Sequence, residues 1–343
     1  YGRTHYFILV YMLITYTLMQ AIATIQLRSS KSMSNRLLLI QALSKKPFTI
    51  HNVSKSSDTI YLQKALESCK EQKDLQTINI GDAGTPFRFL TAFLATQNGK
   101  TFHLCGSERL HQRPIAPLVN ALRSLGAIIE YTEQEGFPPL QIIGTSLHSV
   151  SLEIDASISS QFISALCLIA PCLPDGLHLK LNSTVVSSPY IYLSLQLMQQ
   201  AGIELKYEQN KISIPSSTYH MDSYVVESDW SAACFFYCML MIEPRLTMIL
   251  QNVQAQSIQG DTFIQKLAQD FGIESLFENG NVQLVSTTIN NKHHSKHYNL
   301  TDYPDLAIPF IVACALSYPH VTISGIAHLE WKESKRITAL QTE

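Results

Sequence analysis

Five short polar segments carry the residue types that could act on an anion. They are Lys31-Ser32-Met33-Ser34-Asn35-Arg36, Gly84-Thr85-Pro86-Phe87-Arg88, Ser159-Ser160-Gln161, Asp229 and Asp305, and each opens or immediately precedes an apolar run. A helix beginning at such a place has backbone N–H groups without intrahelical partners and shows the positive end of its dipole, so its tip attracts phosphate or carboxylate. Ser, Thr and Asp are also ordinary helix caps, which is the alternative reading at any single position. Five together, two of them with a cation added, weigh against capping alone. Of the nine arginines, Arg36, Arg88, Arg113 and Arg336 lie in these segments or in similar ones such as Glu108-Arg109-Leu110-His111-Gln112-Arg113-Pro114. Guanidinium suits forked contacts with phosphate and carboxylate.

The elements that must hold these groups recur along the chain. Arg36–Ile40, Arg88–Leu94, Gln161–Leu166, Ser231–Phe236 and Leu306–Val312 are apolar nearly all round, as expected of helices inside a domain. Turns and strands follow at Lys100–Leu104, Leu177–Leu181 and Val321–Ser324. A second kind of helix ends in glycine before an apolar strand: Leu118–Gly126 then Ala127–Tyr131, Leu193–Gly202 then Ile203–Tyr207, and Phe263–Gly272 then Ile273–Phe277. The pattern predicts an α/β fold of units about 72 residues long, each a buried helix, a strand, a surface helix and a strand. Units begin near residues 36, 88, 160, 231 and 305, the first short and the fifth cut off at Glu343. Packed around common axes, such units would bring their helix tips together.

Composition narrows the possibilities. A length of 343 residues with 46% hydrophobic residues is enough for two domains with real cores. A net charge of −2 with 15% charged residues excludes a broad field for nucleic acid or an anionic membrane surface, so any anion site is local. Cys167, Cys172, Cys234, Cys238 and Cys314 fall in apolar segments that read as buried helices, in no disulfide or CxxC spacing, and are expected to be reduced core thiols of a cytoplasmic protein. The apolar run Tyr6–Met19 is too short to span a bilayer; it reads as upstream non-native sequence with Met19 as the start, or as a signal-peptide core. His293, His294 and His297 read as a polar loop rather than a metal site, and Trp230 and Trp331 as core or hinge packing.

From about Ala23 to Ile337 the motifs, in order, resemble those of the 5-enolpyruvylshikimate-3-phosphate synthase family. Ser30-Lys31-Ser32-Met33-Ser34-Asn35-Arg36 is similar to its SKSxSNR segment, Gly81–Arg88 to its GDAGTxxR and Glu108–Ile115 to its ERxxxRPI. Ser159-Ser160-Gln161-Phe162, Val186–Ile191, Val226-Glu227-Ser228-Asp229, Pro304-Asp305 and Lys332–Ile337 follow in the family's sequence. The resemblance implies a two-domain inside-out α/β barrel of repeated βαβαββ-like units closing over substrate. Domain boundaries are expected at 28–226 for a first, three-unit domain and at 19–27 plus 227–343 for an incomplete second domain, with 1–18 as a non-native or disordered extension and hinges near residues 26–28 and 224–229. The implied activity is transfer of the enolpyruvyl group of phosphoenolpyruvate to the 5-hydroxyl of shikimate 3-phosphate with release of phosphate, by a monomer, with no metal or organic cofactor and no macromolecular partner.

Carried over by position, Lys31, Ser32, Arg36, Ser159, Ser160, Gln161, Ser187, Tyr190, Asp305 and Lys332 are expected at shikimate 3-phosphate. Lys31, Gly84, Arg113 and Arg336 are expected at phosphoenolpyruvate. Asp305 is the expected base, and Glu333 with Lys31 the expected acid. Arg28-Ser29 before the first motif and Lys335 in the last depart from the family pattern. Members of the family continue for about another unit, which would bring an Asp-His-Arg segment and a late lysine, so the chain alone is expected to turn over poorly. The alternatives are UDP-N-acetylglucosamine enolpyruvyl transferase, whose loop cysteine has no counterpart near Glu108–Pro114, and a non-catalytic homologue that has kept the scaffold.

Overall fold

The computed structural model describes residues 22–71, 75–148, 151–157, 159–287, 296–331 and 335–342. The run at 6–19, His293 and His294, and the expected site residues Lys332 and Glu333 lie outside the described residues, as does the side chain of Trp331.

The core helices start where a capping group precedes an apolar run. Ser30 Oγ accepts from the Met33 N–H and opens the helix Lys31–Leu43, and Ser159 Oγ accepts from the Gln161 N–H at 3.3 Å and opens Ser160–Ile169. The Asp229 carboxylate takes the Ser231 and Ala232 N–H groups and opens Trp230–Ile242. Gly84–Ala95 and Pro304–Ser317 begin without a side-chain cap, and proline in the first turn of each removes a donor that would have no partner there. Within the larger unit every residue of Gly84–Ala95 except Thr85 is buried, whereas Trp230–Ile242 and Pro304–Ser317, expected from sequence to be enclosed, leave Phe235, Met239, Ile242, Val312 and Leu316 exposed. At the other helix type, Gly126, Gly202 and Gly272 take the left-handed conformation at φ +92°, +84° and +76°, ending each helix where its glycine predicts.

Two compact units result. The larger takes residues 29–226 with 325–342, and the smaller takes 22–28 with 227–324. The sequence reading placed 325–343 in the second domain; here the stretch after Gly325 groups with the larger unit, where Leu329 is fully buried.

In the larger unit the strand Leu75–Asn79 runs parallel to Thr101–Cys105, which pairs antiparallel with Leu140–Ile143, itself antiparallel to Ile128–Tyr131. A second sheet repeats that order with Ser151–Asp155, Leu177–Asn182, Lys211–Ile214 and Lys206–Glu208. A two-stranded third pairs Thr49–His51 with Ser223–Val225 in parallel, and the first unit is short because among its described residues there is no hairpin. Burial alternates along the strands, Leu152 and Ile154 inward and their neighbours outward, so each sheet turns one face to the helices and the other to solvent. Inside, Lys31–Leu43, Gly84–Ala95 and Ser160–Ile169 touch one another, and Ser57–Ser68, Ala116–Ser124 and Ser188–Gln200 fill the gaps between them. The helical ring closes where Ser188–Gln200 meets Lys31–Leu43.

The smaller unit builds the same sheet from Ile22–Gln26, Thr247–Gln251, Asn281–Ser286 and Ile273–Glu278, its first strand coming from the start of the chain. A parallel pair, His297–Asn299 with Thr322–Ser324, flanks Pro304–Ser317. Trp230 is buried beside Tyr237 and Phe277, in the core as expected. The residue pattern marked only one strand after each surface helix, where the structure has a hairpin. Two of these hairpins turn on adjacent residues of positive φ, Gln209-Asn210 and Asn279-Gly280. Cys172 is a further correction, since it is exposed in a 3-10 turn rather than inside a helix. Among the described residues no helix is long and apolar enough to cross a membrane.

Gly176 shows how closely these units are fitted. At φ +74° it turns the chain from the core helix into Leu177–Asn182, and a Cβ there would lie 2.0 Å from the Ile214 carbonyl oxygen. Gly176→Ala is expected to destabilise the larger unit by about 2 kcal/mol, read as a lower urea midpoint, because neither the backbone conformation nor the facing strand can yield.

Candidate active site

One cavity of about 430 Å³ in the larger unit gathers much of the expected machinery. Ser159, Ser160 and Gln161 line it from the first turn of their helix, Ser187 from the start of Ser188–Gln200, and Arg113 from the segment before Ala116–Ser124. Ser187 holds φ +55°, ψ +37°, a left-handed conformation that costs a non-glycine residue about 1–2 kcal/mol and is retained where surrounding packing fixes it.

Arg113, only 8% exposed, lies over the tip of Gly84–Ala95. A Cβ on Gly84 would sit 2.0 Å from Arg113 Nη1 and 2.6 Å from its Cζ, so the missing side chain is what lets the guanidinium rest there. On the same tip Thr85 Oγ1 accepts from Gln161 Nε2 at 3.0 Å, joining two helix starts. Arg88 donates from Nη1 to the Gly84 carbonyl at 2.8 Å, and its guanidinium stands over the Phe162 ring at 5.6 Å.

The remaining expected residues of the larger unit are placed differently. Lys31 is half exposed and ion-paired with Asp58 at 3.4 Å, a surface pair of small energetic weight that leaves the ammonium able to change partner. Arg36 is buried. Its Nε donates to Ser194 Oγ at 2.7 Å, its Nη1 to the Ser32 carbonyl at 2.8 Å and its Nη2 to the Tyr190 carbonyl at 3.0 Å, while Phe89 lies beneath it. Burial pulls its pKa down to about 10, which still leaves it cationic at neutral pH. Among the described residues, the lining of the cavity takes in none of Lys31, Ser32, Gly84, Arg36, Tyr190 and Arg336. Arg336 begins the short helix Arg336–Thr342, which buries no residue.

Several lining residues were not singled out for the site from sequence: Ser157, Val186, Ala327, His328 and, as a wall of the cavity, Arg88. Arg88 was visible as a cation in its motif. His328 carried no signal, because it stands in an unremarkable stretch before the last motif and reaches the cavity only through the fold.

Asp305 belongs to the smaller unit, half-buried in the first turn of Pro304–Ser317. Nearby, Asp229 caps its helix and Ser231 bonds to Asp261. Burial pushes the Cys234 thiol well up, with Cys238, Asp261 and Asp305 adding to the rise, so it is held as a neutral thiol and not as a nucleophile. Among the described residues no cluster of three or more His, Cys, Asp or Glu could hold a metal ion.

The family model described as EPSP synthase (3-phosphoshikimate 1-carboxyvinyltransferase) matches residues 19–343. The chain belongs to the EPSP synthase family. A 3-phosphoshikimate 1-carboxyvinyltransferase of Bacteroides fragilis is 40% identical over 322 residues, covering 94% of this chain and 77% of that relative. One from Shewanella woodyi is 32% identical, with 93% and 79% covered. The solved EPSP synthase of Acinetobacter baumannii superposes with a TM-score of 0.70 at 20% identity over 94% of this chain and 77% of that one, a likeness of fold. The chain thus spans somewhat over three quarters of the length of these EPSP synthases.

Because Gly84 gives the Arg113 guanidinium its place, Gly84→Ala is expected to displace that group while leaving the fold intact, the colliding atoms being the end of a flexible side chain. On the role expected of Arg113 from its motif, phosphoenolpyruvate affinity should fall about tenfold by calorimetry, as for loss of a charge-assisted hydrogen bond, with thermal stability nearly unchanged.

Proposed function

We propose that this chain transfers the enolpyruvyl group of phosphoenolpyruvate to the 5-hydroxyl of shikimate 3-phosphate and releases inorganic phosphate, a step of chorismate and aromatic amino-acid biosynthesis. The observation that carries the reading is the EPSP synthase match over residues 19–343, in a chain whose larger unit places Arg113, Ser159, Ser160, Gln161 and Ser187 around one cavity. The family match does not favour the UDP-N-acetylglucosamine transferase or a non-catalytic homologue.

In the proposed roles, Ser159, Ser160 and Gln161, with the amides of their helix tip, take the phosphate of shikimate 3-phosphate. Lys31, Ser32, Arg36, Ser187, Tyr190, Asp305 and Lys332 complete that subsite. Phosphoenolpyruvate is taken by Arg113 against Gly84, with Lys31 and Arg336. Asp305 removes the proton of the 5-hydroxyl as its oxygen attacks C2 of phosphoenolpyruvate, and Glu333, helped by Lys31, protonates C3 to give a tetrahedral intermediate. Elimination reverses the roles. Glu333 takes a proton back from the new methyl group, the C2–O bond to phosphate breaks, and Asp305 returns its proton to the departing phosphate. Cations around the phosphate offset the charge that develops as it leaves. Both proton transfers fall to carboxylates, so the proposed reaction uses no metal or organic cofactor. The free thiols suit a protein of the cytoplasm, and we propose that it acts as a monomer.

Calorimetric titration with shikimate 3-phosphate should give saturable binding that UDP-N-acetylglucosamine does not reproduce, and phosphate should be released once phosphoenolpyruvate is added. Absence of saturable binding by the chain, or of phosphate release by the chain extended to the length of the EPSP synthases it matches, would overturn the reading. In the chain extended to the length of its relatives, Asp305→Ala is expected to keep shikimate 3-phosphate binding within about threefold and to lower single-turnover phosphate release by about 10³-fold, the range for removal of a positioned base. Unchanged turnover would reject Asp305 as that base.

A further inference from the structure

A buried hydroxyl network ties the helix starts of the larger unit together. Ser194 and Ser164 are fully buried. Ser194 Oγ accepts from Arg36 Nε at 2.7 Å and lies 2.9 Å from Ser164 Oγ and 3.1 Å from the Tyr190 carbonyl oxygen. Ser164 Oγ also reaches that carbonyl, at 3.4 Å, and Arg36 Nη2 donates to it at 3.0 Å. The Tyr190 carbonyl is therefore a shared acceptor for three helices: Lys31–Leu43 through Arg36, Ser160–Ile169 through Ser164, and its own Ser188–Gln200 through Ser194. The other arm of the guanidinium, Nη1, holds the Ser32 carbonyl at 2.8 Å.

We propose that Ser194 and Ser164 are positioning residues of the shikimate 3-phosphate subsite, acting through Arg36 and the Tyr190 carbonyl to fix the mutual register of three helix starts. The inference rests on the proposed function for the identity of the ligand, and on geometry alone for the register. Each serine is hydrogen-bonded within the network and stands in the helix interior, Ser164 one turn beyond the lining residue Ser160 and Ser194 two turns beyond the lining residue Ser187, and neither is part of the cavity lining. Serine is an indifferent helix former, and an apolar residue would pack such a place without a hydroxyl to satisfy. Its presence at two facing positions supplies the buried guanidinium with an acceptor on Nε and spans the gap between two helices. Without the Ser194 hydroxyl, a cation inside the unit would have a donor unmet, and the fork that aligns Ser32 with Tyr190 would be free to rotate.

The test compares Ser194→Ala and Ser164→Ala with Ser194→Thr, which keeps the hydroxyl, and with Ile78→Val, a core control in a strand of the same unit. Shikimate 3-phosphate binding by calorimetry is expected to weaken about tenfold in the alanine variants and to return in Ser194→Thr, while Ile78→Val binds as the parent does. Hydrogen exchange gives a second arm that needs no ligand. The Ser34 amide, bonded to the Ser30 carbonyl, and the Tyr190 amide, bonded to the Ser187 carbonyl, should exchange about tenfold faster in the alanine variants, with the Leu197 amide unchanged. Parental binding in the alanine variants, or a loss matched by Ile78→Val, overturns the proposal. If the parent chain itself does not bind shikimate 3-phosphate, the proposed function fails, and exchange at Ser34 and Tyr190 alone then decides whether the serines set the helix register.

Discussion

An α-helix leaves its first amides unsatisfied, and much of the larger unit is organised around bringing several such ends together. Aligned tips repel one another and draw in water unless something holds them. Here the holding is done by side chains that reach from one first turn to the next. Gln161 bonds to Thr85, and Arg36 forks between Ser32 and Tyr190. These contacts leave the outward side of the Ser160–Ile169 and Ser188–Gln200 tips facing a cavity with Arg113 over it, and the sheets outside keep the helices buried. The site is thus a by-product of a packing problem solved by polar residues, and its charge comes from arginines that the fold has already desolvated.

The three buried arginines of that unit divide the work. Arg88 and Arg36 spend donors on backbone carbonyls within the helix array and stack on Phe162 and Phe89, so they bind helices to helices. Arg113 sits over a glycine at a helix tip, where it presents charge to the cavity. Guanidinium serves both uses because it can fork and stack at once.

Much of this was legible in the sequence because the signals were local. An apolar run behind a short polar segment named each core helix, and a glycine after a periodic segment named the ends of three surface helices, though not of Ser57–Ser68. The hairpins were harder. Asn279-Gly280 is a turn pair that can be read directly, but Gln209 is a residue that rarely accepts positive φ, and its turn exists because the flanking strands pair. Arg36 was read as a ligand residue from its motif, but its hydrogen bonds to Ser194 and Tyr190, 158 and 154 positions away, are ones that no local pattern links. His328 entered the cavity in the same non-local way. Cys172 looked like a core residue because its neighbours are apolar, yet with a proline beside it the helix gives way to a 3-10 turn that leaves the residue exposed.

The strand Ile22–Gln26 bears on how the molecule is made. It pairs with Thr247–Gln251, so more than two hundred residues separate partners that lie side by side. During synthesis this ribbon leaves the ribosome long before its mate exists, and its open amides and carbonyls have to wait while the larger unit folds behind it. A waiting edge of this kind can pair with whatever strand comes first, including one from another nascent chain. Assembly of the smaller unit is accordingly limited by the chain's own order of emergence, and its first strand is the segment most exposed to mispairing in the interval.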